Sequence, residues 1–184
     1  MKFCGIPVSF CLLLMLLAPT ARADGEVVIT FEDAEVGKPI ASWTAKDVTF
    51  EPAEKLKLSK AEPRIMFFPH LKTDKKGILN AMAAEAIPVR IRFARGTSQV
   101  TLSLWGSIGS AALVEALDKD GNILDKASLD KVPARVSPGD PIPSFELTVK
   151  AAQIFSVRFR GARPGGYLAA EQVRFTPLTI ELRR

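Results

Sequence analysis

The most regular feature of the chain is an alternation of apolar and polar residues with a period of two. Such alternation predicts half-buried β-strands, because successive side chains of a strand point to opposite faces. The clearest runs cover 27–31, 48–50, 89–93, 100–104, 145–149, 155–159 and 173–175. Less regular runs cover 65–68, 111–117 and 123–129. About ten strands at this spacing predict an all-β fold, an antiparallel sandwich or barrel.

Turn-forming residues separate these runs. Asp120-Gly121 predicts a tight hairpin, and Arg95-Gly96-Thr97 predicts a second chain reversal. The stretch from Ser137 to Pro141 predicts a longer loop. Helix-favouring residues dominate only from Leu79 to Ala86, where Pro88 supplies the stop, so we expect one short helix there.

The N-terminal residues have the pattern of a secretory signal peptide. Lys2 precedes an apolar stretch over 8–17, and Ala21-Arg22-Ala23 matches a cleavage site. The apolar stretch is shorter than a membrane span, so we expect residues 1–23 to be removed and no transmembrane segment to remain. The sequence therefore predicts a secreted or periplasmic protein with one β-sandwich domain over 24–178 and a C-terminal tail over 179–184.

Cleavage changes the composition of the 184-residue chain, whose net charge is +5. It removes Lys2 and Arg22, which leaves 23 basic and 20 acidic residues and a net charge of +3. It also removes both cysteines, Cys4 and Cys11, so the mature domain has neither a disulfide nor a thiolate metal site. A charge this small, without an aromatic-rich basic module, argues against nucleic acid as a partner.

Five segments stand out in this order along the chain: Ile29–Asp33, Val48–Phe50, Val89–Phe93, Leu117–Leu124 and Tyr167–Phe175. Together they resemble the secreted bacterial β-sandwich domains of the galactose-binding-like jelly-roll type, which are related in fold to carbohydrate-binding modules. The resemblance spans most of the mature chain, although each motif is short. It implies a jelly-roll sandwich and a carbohydrate or cell-envelope glycan as ligand.

The sequence predicts no cofactor, except that the resemblance suggests a structural calcium ion. In that family, an acidic pair after the first strand often lies close to an acidic pair that opens the last strand. Glu32 and Asp33 match the first pair, whereas Glu171 is followed by Gln172 and matches the second only in part. Calcium needs six to eight oxygen ligands. The alternative is that Glu32 and Asp33 solvate a turn while Glu171 pairs with an arginine.

Arginines alternate with core-directed residues in two of the predicted strands, and this places their side chains in solvent. They are Arg90, Arg92, Arg158 and Arg160, and Arg174 follows the same alternation in the last strand. If these strands are neighbours, their guanidiniums form a ladder suited to carboxylates or sulfates. The alternative is a solvated face on which acidic residues interleave with the arginines as ion pairs.

Aromatic residues near strand ends are the other candidates for sugar contact, because an exposed ring stacks on a pyranose face. Trp105 has the parity opposite to Leu104, which directs it outward at the end of a strand. Tyr167 lies in a Gly-rich loop, and Trp43 lies in another loop. The alternative for each ring is that it caps the core.

Enzymatic chemistry has little support in the sequence. His70 is the single histidine, and 106–110 lacks the spacing of a nucleophile elbow. The expected function is a noncatalytic module for carbohydrate or envelope glycan, with Trp105 and Tyr167 stacking on sugar and the arginines contacting polar or anionic groups. A structural or protein-interaction domain of the envelope, without a small ligand, is the alternative, and a hydrolase comes third.

Overall fold

The computed structural model describes residues 22–23, 25–45, 47–55, 62–67, 75–79, 87–106, 111–134, 136–137, 139–161 and 168–179. Eleven strands lie in this part of the chain: β1 (Arg22–Ala23), β2 (Val27–Thr30), β3 (Thr44–Ala45), β4 (Val48–Pro52), β5 (Ile65–Met66), β6 (Gly77–Leu79), β7 (Val89–Gly106), β8 (Ala112–Leu117), β9 (Ile123–Leu129), β10 (Phe145–Gly161) and β11 (Leu168–Thr179). A 3-10 helix covers Ile40–Ser42. Within these ranges no helix is long and apolar enough to cross a membrane.

Two long strands, β7 and β10, organise the sheet, and each contributes to two halves of it. The first half of β7 and the second half of β10 lie in a front half-sheet of order β3-β4-β7-β10-β8-β9. The second half of β7 and the first half of β10 lie in a back half-sheet of order β5-β6-β11-β7-β10, in which β1 and β2 also pair with β11. All of these pairings are antiparallel.

The two half-sheets fold over one hydrophobic core. Phe31, which follows β2 at the back, packs against Phe50 of β4 at the front, with ring centroids 5.6 Å apart. Where β7 passes from one half-sheet to the other, Phe93 packs against Phe175 at 4.9 Å. The antiparallel, all-β sandwich predicted from strand spacing is confirmed.

The predicted reversal at Arg95-Gly96-Thr97 is wrong, because these residues lie inside β7. Thr97 pairs with Ile154 of β10 on one side and with Pro177 of β11 on the other, and both pairings shift register there. The Thr97 hydroxyl also donates to the carbonyl oxygen of Thr176 at 2.6 Å. Pairing on both sides keeps the strand continuous, so the chain bends at this point and does not turn back. The predicted strands 145–149 and 155–159 likewise join to form β10.

The predicted hairpin at Asp120-Gly121 is confirmed between β8 and β9. The Asp118 carboxylate accepts hydrogen bonds from the backbone N–H groups of Asp120 and Asn122, both at 2.8 Å, and from the Asn122 side chain at 2.9 Å. The bond from the Asn122 side chain is the main cause that holds the pKa of Asp118 below its usual value. Gly121 adopts a φ of 88°, which glycine adopts without strain.

Several predictions concern residues at or beyond the limits of the described ranges. Arg22 and Ala23, placed in the signal peptide, pair with Thr179 and Leu178 of β11; cleavage after Ala23 stays a prediction. Leu79 ends β6 and does not open a helix, and the rest of the predicted helix, 80–86, lies outside the described residues.

Candidate functional site

Four of the five predicted outward arginines lie together on the outer face of the front half-sheet. Arg90 of β7 is the direct cross-strand partner of Arg158 of β10, and Arg92 lies opposite Ser156. Arg160 follows Arg158 on the same side of β10 and is exposed. We call this surface the arginine face. The strands that carry these residues are therefore neighbours, as the predicted ladder requires.

Arg174 does not belong to this face. It lies on the back half-sheet opposite Thr101 of β7, and its guanidinium donates to the Glu146 carboxylate. The sequence predicted its outward direction correctly. Strand order then separates it from the other four, because β11 pairs with the second half of β7 and not with the first.

Two carboxylates hold the arginines in place. Glu51 of β4 accepts a hydrogen bond from Nε of Arg92 at 2.6 Å and lies 3.6 Å from the Arg90 guanidinium. Glu115 of β8 is buried and accepts two bonds from Arg158, at 2.9 and 2.7 Å. The expectation of interleaved ion pairs is thus also met.

Register places these charges in one row across five strands: Glu51, Arg90, Arg158, Glu115 and Lys126. Each carboxylate is shared by two cations, since Lys126 also lies 3.8 Å from Glu115. Arg160 has no carboxylate partner among the described residues. With Arg92 beside the row, five cations of the sheet face two carboxylates, an excess of three positive charges before Asp118, Lys119 and Asp120 of the β8–β9 turn are counted.

The direct opposition of Arg90 and Arg158 is electrostatically unfavourable. Cross-strand partners have Cβ atoms about 4.5–5.5 Å apart, and like charges in such a pair destabilise a sheet. Each guanidinium binds a carboxylate on its far side, and none of the described side chains places an anion between the two. Nε of Arg90 is buried and has no hydrogen-bond partner within the described ranges. An anion that bridges the two arginines would relieve this repulsion.

A concavity of about 360 Å³ lies beside the arginine pair. Its lining includes Arg90, Arg92, Ser156 and the half-buried ring of Phe155, and the β8–β9 turn over 118–121 forms its rim. Sequence reasoning missed Phe155, because alternation with Val157 assigns it to the core. The register shift between Ile154 and Ser156 directs the Phe155 ring into the concavity.

The aromatic residues that were predicted to contact sugar and that the structure describes are not found in the lining of this concavity. Trp105 has the predicted parity, but it is only 2% exposed. Met66 of β5 and Ile142 of the loop before β10 pack over it, so its predicted exposure is wrong and its ring caps the back half-sheet. Trp43 packs against Phe31 and Phe50, as the core-capping alternative predicted. Tyr167 lies outside the described residues, as does His70.

The three acidic residues predicted to bind calcium have different environments. Glu32 and Asp33 are exposed, whereas Glu171 is buried, accepts a bond from Ser103 at 3.0 Å and lies 3.7 Å from the ammonium of Lys75. Lys76 donates to the backbone carbonyl oxygens of Glu32 and Ala34. Among the described residues no three His, Cys, Asp or Glu side chains converge as a metal site does. Calcium binding stays a prediction from the sequence.

Comparison with known proteins gives structural similarities only. No family model and no curated protein matches the chain. A variant of a family 29 carbohydrate-binding module aligns with 84% of this chain and 93% of its own at 12% identity and a TM-score of 0.42. A second variant of that module, in complex with mannohexaose, covers 70% of this chain and 89% of its own at 11% identity and a TM-score of 0.40. A family 61 carbohydrate-binding module in complex with β-1,4-galactotriose covers 85% of this chain and 88% of its own at 9% identity and a TM-score of 0.33. The expected likeness to such modules is found, but similarity at this level carries no information about a ligand.

Proposed function

We propose that the protein is a noncatalytic binding module for an acidic glycan, and that the arginine face is its binding surface. The observation that carries this proposal is the direct opposition of Arg90 and Arg158 on an outer sheet face with three excess positive charges. Carboxylate and sulfate groups match the planar, multiple donors of guanidinium. The half-buried ring of Phe155 beside the pair offers an apolar surface for a pyranose ring.

Asp118, one of the two carboxylates at the concavity, is unsuited to general acid catalysis, and this favours binding without chemistry. Asp118 and Asp120 line the rim, and both belong to the β8–β9 turn. Hydrogen bonds from the turn occupy both oxygens of Asp118 and lower its pKa, whereas a general acid needs a raised one. Asp118 therefore acts as a structural anchor of the rim.

The test is retention of the purified protein on immobilised acidic polysaccharides, alginate and polygalacturonate, with mannan and cellulose as neutral references. Native protein should be retained on the acidic polymers and released by salt, because exposed charges are screened over about 10 Å at 0.1 M ionic strength. The double variant Arg90→Gln with Arg158→Gln should bind at least about tenfold more weakly, since hydrogen bonds to charged groups contribute more than neutral ones.

A matched control removes the same charge elsewhere. Arg64→Gln with Arg174→Gln also neutralises two partly exposed arginines that form ion pairs, but neither lies on the arginine face. This control should bind as the native protein does. Equal losses in both double variants would show nonspecific attraction and would overturn the assignment of the site. Absence of retention of native protein on every acidic polymer would overturn the function and favour an envelope interaction domain.

A further inference from the structure

A second row of residues crosses the front half-sheet next to the charged row. Register places its members opposite one another on five strands, from β3 to β8: Thr44, Thr49, Arg92, Ser156 and Leu117. Three of the five are small and carry a hydroxyl group. The short hydroxyl side chains lie on either side of Arg92, whose Nε donates to Glu51 of the charged row. We call this strip of low surface across the strands the trough.

Two adjoining concavities follow this row. The one of about 360 Å³ lies on the β10 and β8 side of Arg92, and a second of about 550 Å³ lies on the β4 and β3 side. Both include Arg92 and Phe93 of β7 in their linings, so the two concavities lie on either side of these residues. Strands lie about 4.8 Å apart, so five strands give the trough a length of about 19 Å.

The wall of the trough at its β3–β4 end has an unusual backbone conformation. Asp47, which lines the second concavity, has a φ of 62°, a conformation that is uncommon for a residue other than glycine. Its carbonyl oxygen accepts the N–H of Ala94 at 2.9 Å, which attaches this turn to β7. The wall opposite the charged row is therefore formed by two anchored turns, one at Asp47 and one at 118–121.

We propose that this trough binds an extended stretch of an acidic polysaccharide, laid across the strands. The inference rests on the proposed function and specifies how the ligand lies. The hydroxyl groups of Thr44, Thr49 and Ser156 pair with sugar hydroxyls along the floor, while acidic groups of the polymer face Arg90 and Arg158. Because the floor extends well beyond the arginine pair, affinity depends on the number of sugar units.

Calorimetric titration with oligogalacturonates from dimer to hexamer tests this arrangement. The hexamer should bind at least about tenfold more tightly than the dimer, because its added units form hydrogen bonds along the floor. Thr49→Phe fills the trough at β4 and suits a strand. This variant should reduce hexamer affinity to within about twofold of the affinity that native protein has for the dimer.

The control is Thr30→Phe, which also places a ring at an exposed threonine of a strand, but on β2 of the back half-sheet. It should leave the affinities for both oligomers unchanged. If dimer and hexamer bind native protein equally well, or if Thr49→Phe leaves hexamer binding intact, the trough is refuted while the arginine site stands. If neither oligomer nor the polymer binds, the proposed function fails together with the trough.

Discussion

Replacement of the buried carboxylate Glu115 by glutamine separates the stability of the arginine face from its capacity to bind anions. Glu115 is 4% exposed and accepts two hydrogen bonds from Arg158. Glu115→Gln keeps the size of the side chain and removes its charge. The variant should be less stable than the native protein, and it should bind acidic glycans at least as tightly because Arg158 loses its competing anion.

The expected loss of stability follows from the two bonds. Removal of one partner of a buried ion pair costs about 3–5 kcal/mol, and glutamine lessens this loss because its amide oxygen still accepts from the charged guanidinium. The Arg158 side chain is 30% exposed, so water replaces part of the lost interaction. The free energy of unfolding should fall by about 2 kcal/mol, which lowers the unfolding temperature by about 4–8 °C in a domain of this size.

Urea and thermal unfolding followed by circular dichroism measure the loss of stability, and retention on polygalacturonate measures glycan binding. Glu146→Gln is the control, because Glu146 pairs with Arg174 on the back half-sheet and its side chain is 54% exposed. Exposed pairs contribute below about 1 kcal/mol. Equal destabilisation by the two substitutions would refute the reasoning, as would a folded Glu115→Gln protein that no longer binds the polymer.

Four further predictions follow from single residues. Trp105→Ala should lower the free energy of unfolding by about 3–5 kcal/mol, because Trp105 is buried. Trp105→Phe should bind glycan as native protein does, and loss of glycan binding in a stable Trp105→Phe protein would contradict the assignment of Trp105 to the core. Gly121→Ala should cost about 1–2 kcal/mol in urea unfolding, because φ is 88°, whereas Gly25→Ala, with open space and no such φ, should cost nothing measurable. Lowering the pH through the depressed pKa of Asp118 should loosen the β8–β9 turn. The Asp118 carboxylate stabilises the turn fully above its ordinary pKa of 3.8, and this stabilisation is lost as the carboxylate becomes protonated. An NMR titration that gives an ordinary or raised pKa for Asp118 would contradict this prediction. The predicted calcium site at Glu32, Asp33 and Glu171 requires a higher unfolding temperature in calcium than in chelator, and equal temperatures would contradict it, as expected where the Lys75 ammonium, 3.7 Å from Glu171, takes the place of the ion.

Much of the fold could be predicted from alternation alone. A period of two places Val89 and Ile91 in the core and Arg90 and Arg92 outside, and the structure has that arrangement. The same logic fails at Phe155, because a register shift in β10 interrupts the alternation there. Such a shift depends on the partner strand, and one strand's sequence does not encode it.

The arrangement of the site could be predicted only in part. The sequence places arginines outward, yet it leaves open whether an acidic residue or another arginine lies opposite each one. Strand order and register decide that Arg90 meets Arg158 and that Glu51 and Glu115 flank them. Trp105 shows the same division, because its parity follows from its strand, whereas its burial depends on Met66 and Ile142, which are distant in sequence.

The sequence by itself determined the all-β class, the outward direction of the arginines and the β8–β9 hairpin, because each depends on backbone geometry within a few neighbouring residues. Only the tertiary structure decided that β7 and β10 run through both half-sheets, that four arginines share a face and that two concavities lie beside them. Pairing between strands far apart in sequence is set by the packing of the whole core. A local pattern therefore predicts which way a side chain points, and the assembled sheet determines what it meets.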